Sequence, residues 1–215
     1  MREPIAMVGV DKDLIDMLLD HKRWTLAGVF DMHPAADALG VPHLGSDDAW
    51  EEVKKARPEL GIVIAIDPTG LKSKLVAHYG RESLRTVVAP DGYVSKSARL
   101  GAGCIVQRGA RVLPDAVLGD CVKMNVGATV HHDCRVGDCV TLAPGCRLLG
   151  TVQVEDRAYI GSGAVILPKI KVGKGATVGA GAVVAADVPD GMIVVGVPAR
   201  PLERRRKREQ REMQA

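Results

Sequence analysis

From Val88 onward every sixth residue is a large aliphatic: Val88, Val94, Leu100, Val106, Val112, Leu118, Met124, Val130, Val136, Leu142, Leu148, Val154, Ile160, Ile166, Val172, Val178 and Val184, seventeen positions without a gap. Two residues before most of them stands a small one, including Ala98, Cys104, Ala110, Ala116, Ala128, Cys134, Cys146, Ala158, Ala164, Ala176 and Ala182. Glycine follows the aliphatic at 101, 119, 137, 161, 173 and 179. A period of six fits neither a helix nor an isolated strand. It fits a hexapeptide that makes one short flat strand and one corner, so that three hexapeptides close a triangular coil. The large aliphatic and the small residue then point inward and stack on their equivalents in the next coil. A single coil cannot bury its own core, so coils must pile up. Seventeen positions make between five and six of them. The glycines after the aliphatics are expected to supply positive φ at the corners.

Composition agrees with a narrow, layered core: aromatics are only 3% of the chain, with one Phe. The same register sorts the five cysteines. Cys104, Cys134 and Cys146 take the small inward position, where a thiol serves as a small hydrophobe. Cys121 and Cys139 point outward, and none has a CxxC partner. No metal site is expected.

The first 85 residues follow another rule. Apolar runs at Pro4–Val10, Leu26–Phe30 and Leu60–Ile66 alternate with helical patterns around Leu14–Leu19, Asp48–Ala56 and Leu71–Tyr79, and a short strand follows at Thr86–Val88. Alternating strands and helices read as a small parallel, Rossmann-like sheet. Ligands of such sheets gather at the carboxyl ends of the strands, here Gly9, Asp31 and Asp67. Asp and Gly are also ordinary turn and cap residues. Gly9-Val10-Asp11 lacks a full glycine fingerprint, so a dinucleotide is not expected. The organisation is thus a Rossmann-like domain over 1–85, a β-helix over 86–200 and a tail over 201–215.

Charge adds little beyond the tail. The net charge is +3, and from Leu202 onward six bases face three acids, so the rest of the chain is neutral. Nucleic acid is not an expected partner. No apolar run approaches the roughly 18 residues that span a bilayer, and no signal-peptide pattern opens the chain, so a cytoplasmic protein without membrane insertion is expected.

Chemistry concentrates in one corner. Val130 is inward, so His131 and His132 occupy the corner after it and face outward, followed by Asp133. Such a histidine is either merely solvated or a base. The β-helix has no other histidine. That excludes the zinc site of a γ-class carbonic anhydrase, which needs three from neighbouring coils.

The segments GVFDMHP, VPHLGSDDAW, NVGATVHHDCRVGDCVTLAPGCRLLG and YIGSGAVILPKIKVGKGATVGAGAVVAADVPDGMIVVGVPAR together resemble the sugar O- and N-acyltransferases of the sialic-acid O-acetyltransferase and bacillosamine/perosamine N-acetyltransferase type. The resemblance covers nearly the whole chain and implies a left-handed winding of the β-helix. It implies that His132 is the general base and Asp133 its orienting partner, with His131 the alternative base. It implies that Gly150 donates a backbone N–H to the thioester oxygen. Acyl-CoA, acetyl-CoA first, would lie along the outer coils towards Ser162 and Ala180 and reach Arg200, with Thr141 among its contacts. Asn125 would lie near the acceptor, and Gly9, Asp31 and Asp67 would hold the nucleotide of an activated amino sugar. A sugar hydroxyl is the alternative acceptor, and a structural, non-catalytic subunit the alternative role. Outward rows such as Thr129, Thr141 and Thr177 would be covered in a homotrimer whose sites lie between subunits. Two positions depart from the family pattern: Gly9-Val10-Asp11-Lys12 replaces a Gly-rich turn with a histidine, and His131 stands where an acid is common.

Overall fold

The computed structural model describes residues 2–33 and 40–202. The basic tail lies outside the described residues, and with it any reading of Arg204–Arg208.

The chain opens with an α/β unit. Strands β1 (Glu3–Val8), β2 (Trp24–Phe30), β3 (His43–Gly45) and β4 (Gly61–Ile64) form a parallel sheet in the order β3-β2-β1-β4. Helices α1 (Lys12–Leu19), α2 (Trp50–Ala56) and α3 (Thr69–Tyr79) cover it. Asp11 begins α1 because its carboxylate accepts from the Leu14 N–H at 3.0 Å, satisfying a donor that the first turn leaves free. Leu14, Ile15, Met17 and Leu18 then face the sheet, fully buried. The strand pattern in the sequence does not include β3: His43–Gly45 is an edge strand, held where the Val29 N–H donates to the Pro42 carbonyl at 2.8 Å. Three residues are too short a run for a period to register.

The rest is a left-handed parallel β-helix with seventeen two-residue strands from Val87–Val88 to Val183–Val184. Its first face carries Val87–Val88, Ile105–Val106, Lys123–Met124, Thr141–Leu142, Tyr159–Ile160 and Thr177–Val178. The second carries Tyr93–Val94, Arg111–Val112, Thr129–Val130, Arg147–Leu148, Val165–Ile166 and Val183–Val184, and the third Arg99–Leu100 through Lys171–Val172. Partners lie 18 residues apart throughout these ladders, as in Thr129↔Arg147. The inward aliphatics from Val106 to Val184 and the small residues beside them form one continuous buried column. The Thr86–Val88 strand, where the six-residue period begins, is the first rung of this helix: Val87 and Val88 pair with Ile105 and Val106.

Two expectations are corrected. The glycines directly after the aliphatics do not adopt positive φ; that conformation falls two residues later, at Gly103, Asp115, Asp133 and Thr151 among others. What requires glycine directly after the aliphatic is close stacking, since a Cβ at Gly101 would lie 2.5 Å from the backbone of Gly119 in the next coil. The second concerns Cys121, Cys139 and Thr141, which do project from the prism. They are buried all the same, because the α/β unit sits on the first face and covers them.

Candidate active site

Each face hands over to the next at a corner, and the residues of interest divide between corners. His131, His132, Asp133 and Gly150 sit where the second face turns into the third. Asn125, Ser162 and Ala180 sit where the first turns into the second. The α/β unit, with Gly9, Asp31 and Asp67 at its strand ends, rests on the first face. In a triangular prism the His132 corner is therefore the one opposite the face that carries the α/β unit.

At that corner His132 and Asp133 are both exposed, and Nδ1 of His132 lies 2.8 Å from Oδ2 of Asp133. An ionised carboxylate only accepts, so Nδ1 is the donor of this contact, and in the neutral ring that tautomer leaves Nε2 with its lone pair. Asp133 reaches the ring from a left-handed backbone, φ 60°, which Asp tolerates better than most residues. Gly150, one coil further along, closes the arrangement. A Cβ there would lie 2.7 Å from both Cε1 and Nε2 of the imidazole, so only glycine leaves the ring its place. Among the described residues no acceptor takes the Gly150 N–H, whereas its carbonyl accepts from the Lys169 N–H. The imidazole thus fills the space beside a glycine whose backbone N–H has no acceptor among the described residues. His131 is different. Burial first, then the neighbouring charges of His132 and Arg147, push its imidazole below the ordinary value.

The strand ends of the α/β unit are tied together and to the β-helix. Gly9 takes φ 78° and donates its N–H to the Phe30 carbonyl at 2.9 Å, joining the ends of β1 and β2. Asp31 turns back on its own loop, Oδ1 accepting from the His33 N–H at 2.9 Å. Asp67 faces the β-helix, where Lys123 Nζ donates to its Oδ1 at 2.9 Å and also pairs with Asp11 Oδ2 at 2.8 Å. Thr141 Oγ1 donates to the Asp67 carbonyl at 3.1 Å and accepts from Lys72 Nζ at 2.7 Å. Thr141 is fully buried by these contacts, so it presents no surface to a cofactor and is removed from that role. Asn125 is also largely buried, its amide donating to the Leu142 carbonyl at 3.1 Å. Ser162, Ala180 and Arg200 are exposed.

Sequence reasoning missed Lys123, Lys72, Asp11 and Gln107, which form this joint. Their partners across the joint lie from 56 residues away, for Lys123 and Asp67, to 112, for Lys123 and Asp11, so no local spacing announces them. Only the outward column Lys123–Thr141, one coil apart, hinted at a shared contact.

The Bacterial transferase hexapeptide (six repeats) model matches residues 151–186. No curated protein sequence matches the chain. Among solved structures, the acetyltransferase domain of PglB from Neisseria gonorrhoeae, in complex with acetyl coenzyme A, superposes with a TM-score of 0.87 at 30% identity, covering 94% of this chain and 100% of that one. PerB from Caulobacter crescentus, in complex with CoA and GDP-perosamine, does so with a TM-score of 0.87 at 34% identity over 93% of this chain and 97% of that one. WeeI from Acinetobacter baumannii gives 0.80 at 28% identity over 92% and 99%. With identity at this level sustained over the α/β unit and β-helix together, the chain belongs to the hexapeptide-repeat sugar acyltransferases of the sialic-acid O-acetyltransferase and bacillosamine/perosamine N-acetyltransferase type.

Proposed function

We propose that this protein transfers an acetyl group from acetyl-CoA to the amino group of a nucleotide-linked amino sugar, with His132 as general base. The observation that carries the reading is the His132 imidazole lying in the space that a Gly150 side chain would fill, with Asp133 on Nδ1. The amine attacks the thioester carbonyl while Nε2 removes its proton. Gly150 donates its N–H to the oxyanion that forms. The tetrahedral intermediate then expels the CoA sulfur, which takes the proton from the imidazolium. Asp133 keeps the ring in the tautomer and orientation that this sequence needs. The donor is supported by the acetyl coenzyme A held by the Neisseria domain, and the acceptor by the GDP-perosamine held by PerB.

One chain does not complete the site, since Gly9, Asp31 and Asp67 lie on the side of the prism away from His132. A second copy must bring its α/β unit to this corner, and a homotrimer with three sites between neighbours satisfies all copies at once. The exposed Ser162, Ala180 and Arg200 suit the remainder of CoA in the cleft between two copies. The test is free-CoA release from acetyl-CoA with a panel of UDP- and GDP-linked amino sugars beside their hydroxyl counterparts. Turnover confined to the amino sugars is expected. Turnover of the hydroxyl compounds alone would make it an O-acetyltransferase, and release with neither would leave a structural subunit.

A further inference from the structure

Asp67 is gripped at two atoms by consecutive rungs of the β-helix. Lys123, fully enclosed, donates to its Oδ1 at 2.9 Å and to the Ala65 carbonyl at 2.6 Å. Thr141, paired with Lys123 in register on the next coil, donates to its backbone carbonyl at 3.1 Å. Lys123 also pairs with Asp11, whose Oδ2 accepts as well from the Gln107 amide at 3.2 Å, again from the β-helix. The loops that follow β1 and β4 are therefore fixed from outside the sheet that bears them. Yet the Asp67 side chain is 53% exposed, so part of its carboxylate faces the opening at the strand ends. A buried ammonium beside two carboxylates lowers the negative charge of an opening that, on the reading above, receives a nucleoside diphosphate.

We propose that Lys123 is a positioning residue for the acceptor: it aims the Asp67 carboxylate at donor groups of the sugar nucleotide and offsets its charge, so that the β-helix shapes the acceptor site of its own chain. This rests on the assignment of the strand ends as the nucleotide site. A lysine that merely fastened the two parts together would change stability and leave the two substrates equally affected. A positioning residue acts on the acceptor alone, and it acts through Asp67.

The experiment uses the full chain. GDP, UDP and acetyl-CoA are titrated calorimetrically into wild type, Lys123→Met, Asp67→Asn and the double variant, and the Michaelis constants for GDP-perosamine and acetyl-CoA are measured alongside. Lys123→Met is expected to weaken nucleotide binding and raise the acceptor Michaelis constant about tenfold, with acetyl-CoA binding unchanged. Because both residues act on one contact, the double variant should be no worse than the more affected single one. Equal binding by wild type and Lys123→Met overturns the proposal, as do fully additive losses. Binding of neither nucleotide by wild type overturns the strand-end reading first, and this inference with it. Should Lys123→Met not fold, Lys123→Arg keeps the charge and the fastening but moves the donors away from the Asp67 carboxylate. It must then weaken nucleotide binding and spare acetyl-CoA, and no change in either sinks the idea.

Discussion

At the scale of single residues the two adjacent histidines have opposite prospects. His132 sets its imidazole against Gly150, whereas His131 is partly enclosed and electrostatically discouraged from taking a proton. His132→Ala is expected to lower kcat by about 10²–10⁴, the usual worth of a positioned base, with little change in acetyl-CoA binding. His131→Ala should stay near wild type, and steady-state kinetics on the two variants decides between them. Asp133 separates activity from stability. Asp133→Gly relieves a left-handed backbone but adds freedom to the unfolded chain, and the two effects offset to within about 1 kcal/mol. A thermal melt should therefore barely move while kcat falls, though by less than for His132→Ala. His132 and Asp133 stand out in the sequence because the six-residue period fixes what points outward. The proximity of Gly150 does not follow from the period alone. It depends on the rotamer of an exposed ring one coil away. Glycine itself misled, because it marks two different constraints in these corners, close stacking at Gly101 and positive φ at Gly103, and the letter is the same for both.

At the scale of elements, the joint between the α/β unit and the first face is the least legible part. Lys72 lies in LKSKLVAHY, which reads as a helix with a solvated side, yet it is fully buried against Thr141. The reason is tertiary: α3 lies over the first face, and nothing within the helix records that. Burial, then the charge of Lys123, pulls the Lys72 ammonium from 10.5 down to about 8. Below pH 8 the group is charged in both folded and unfolded chains, and folding bears the whole cost of burying it. Between pH 8 and 10.5 the folded protein has released a proton that the unfolded chain still holds, so stability rises with pH, by at most about 3 kcal/mol. Lys72→Met should remove that rise, which shows as a difference between the urea midpoints of wild type and variant from pH 7.5 to 10. A wild-type slope that survives in the variant would assign it to other groups.

At the scale of the whole molecule, sheet, face and corner place His132 and the strand ends of the α/β unit on opposite sides of one prism. Light scattering at micromolar concentration should report three copies, and a catalytically active monomer would contradict the arrangement. Both the α/β unit and the column of coils were legible in the sequence, since a β-α alternation and an unbroken period are properties of the chain itself. Which face the unit occupies was not, because that choice is written in a few long-range polar contacts. The coils are so regular that position along and around the prism behaves like the index of a screw. Inserting eighteen residues after Val154 would move Ser162 and everything beyond it one pitch, about 4.8 Å, away from His132 without turning it. Inserting six would instead rotate the same residues by one face and carry them off their present corner altogether. The spacing between His132 and the distal coils can thus be lengthened in whole pitches, and evolution or design could change the length of this column by copying a coil, with no new fold to invent.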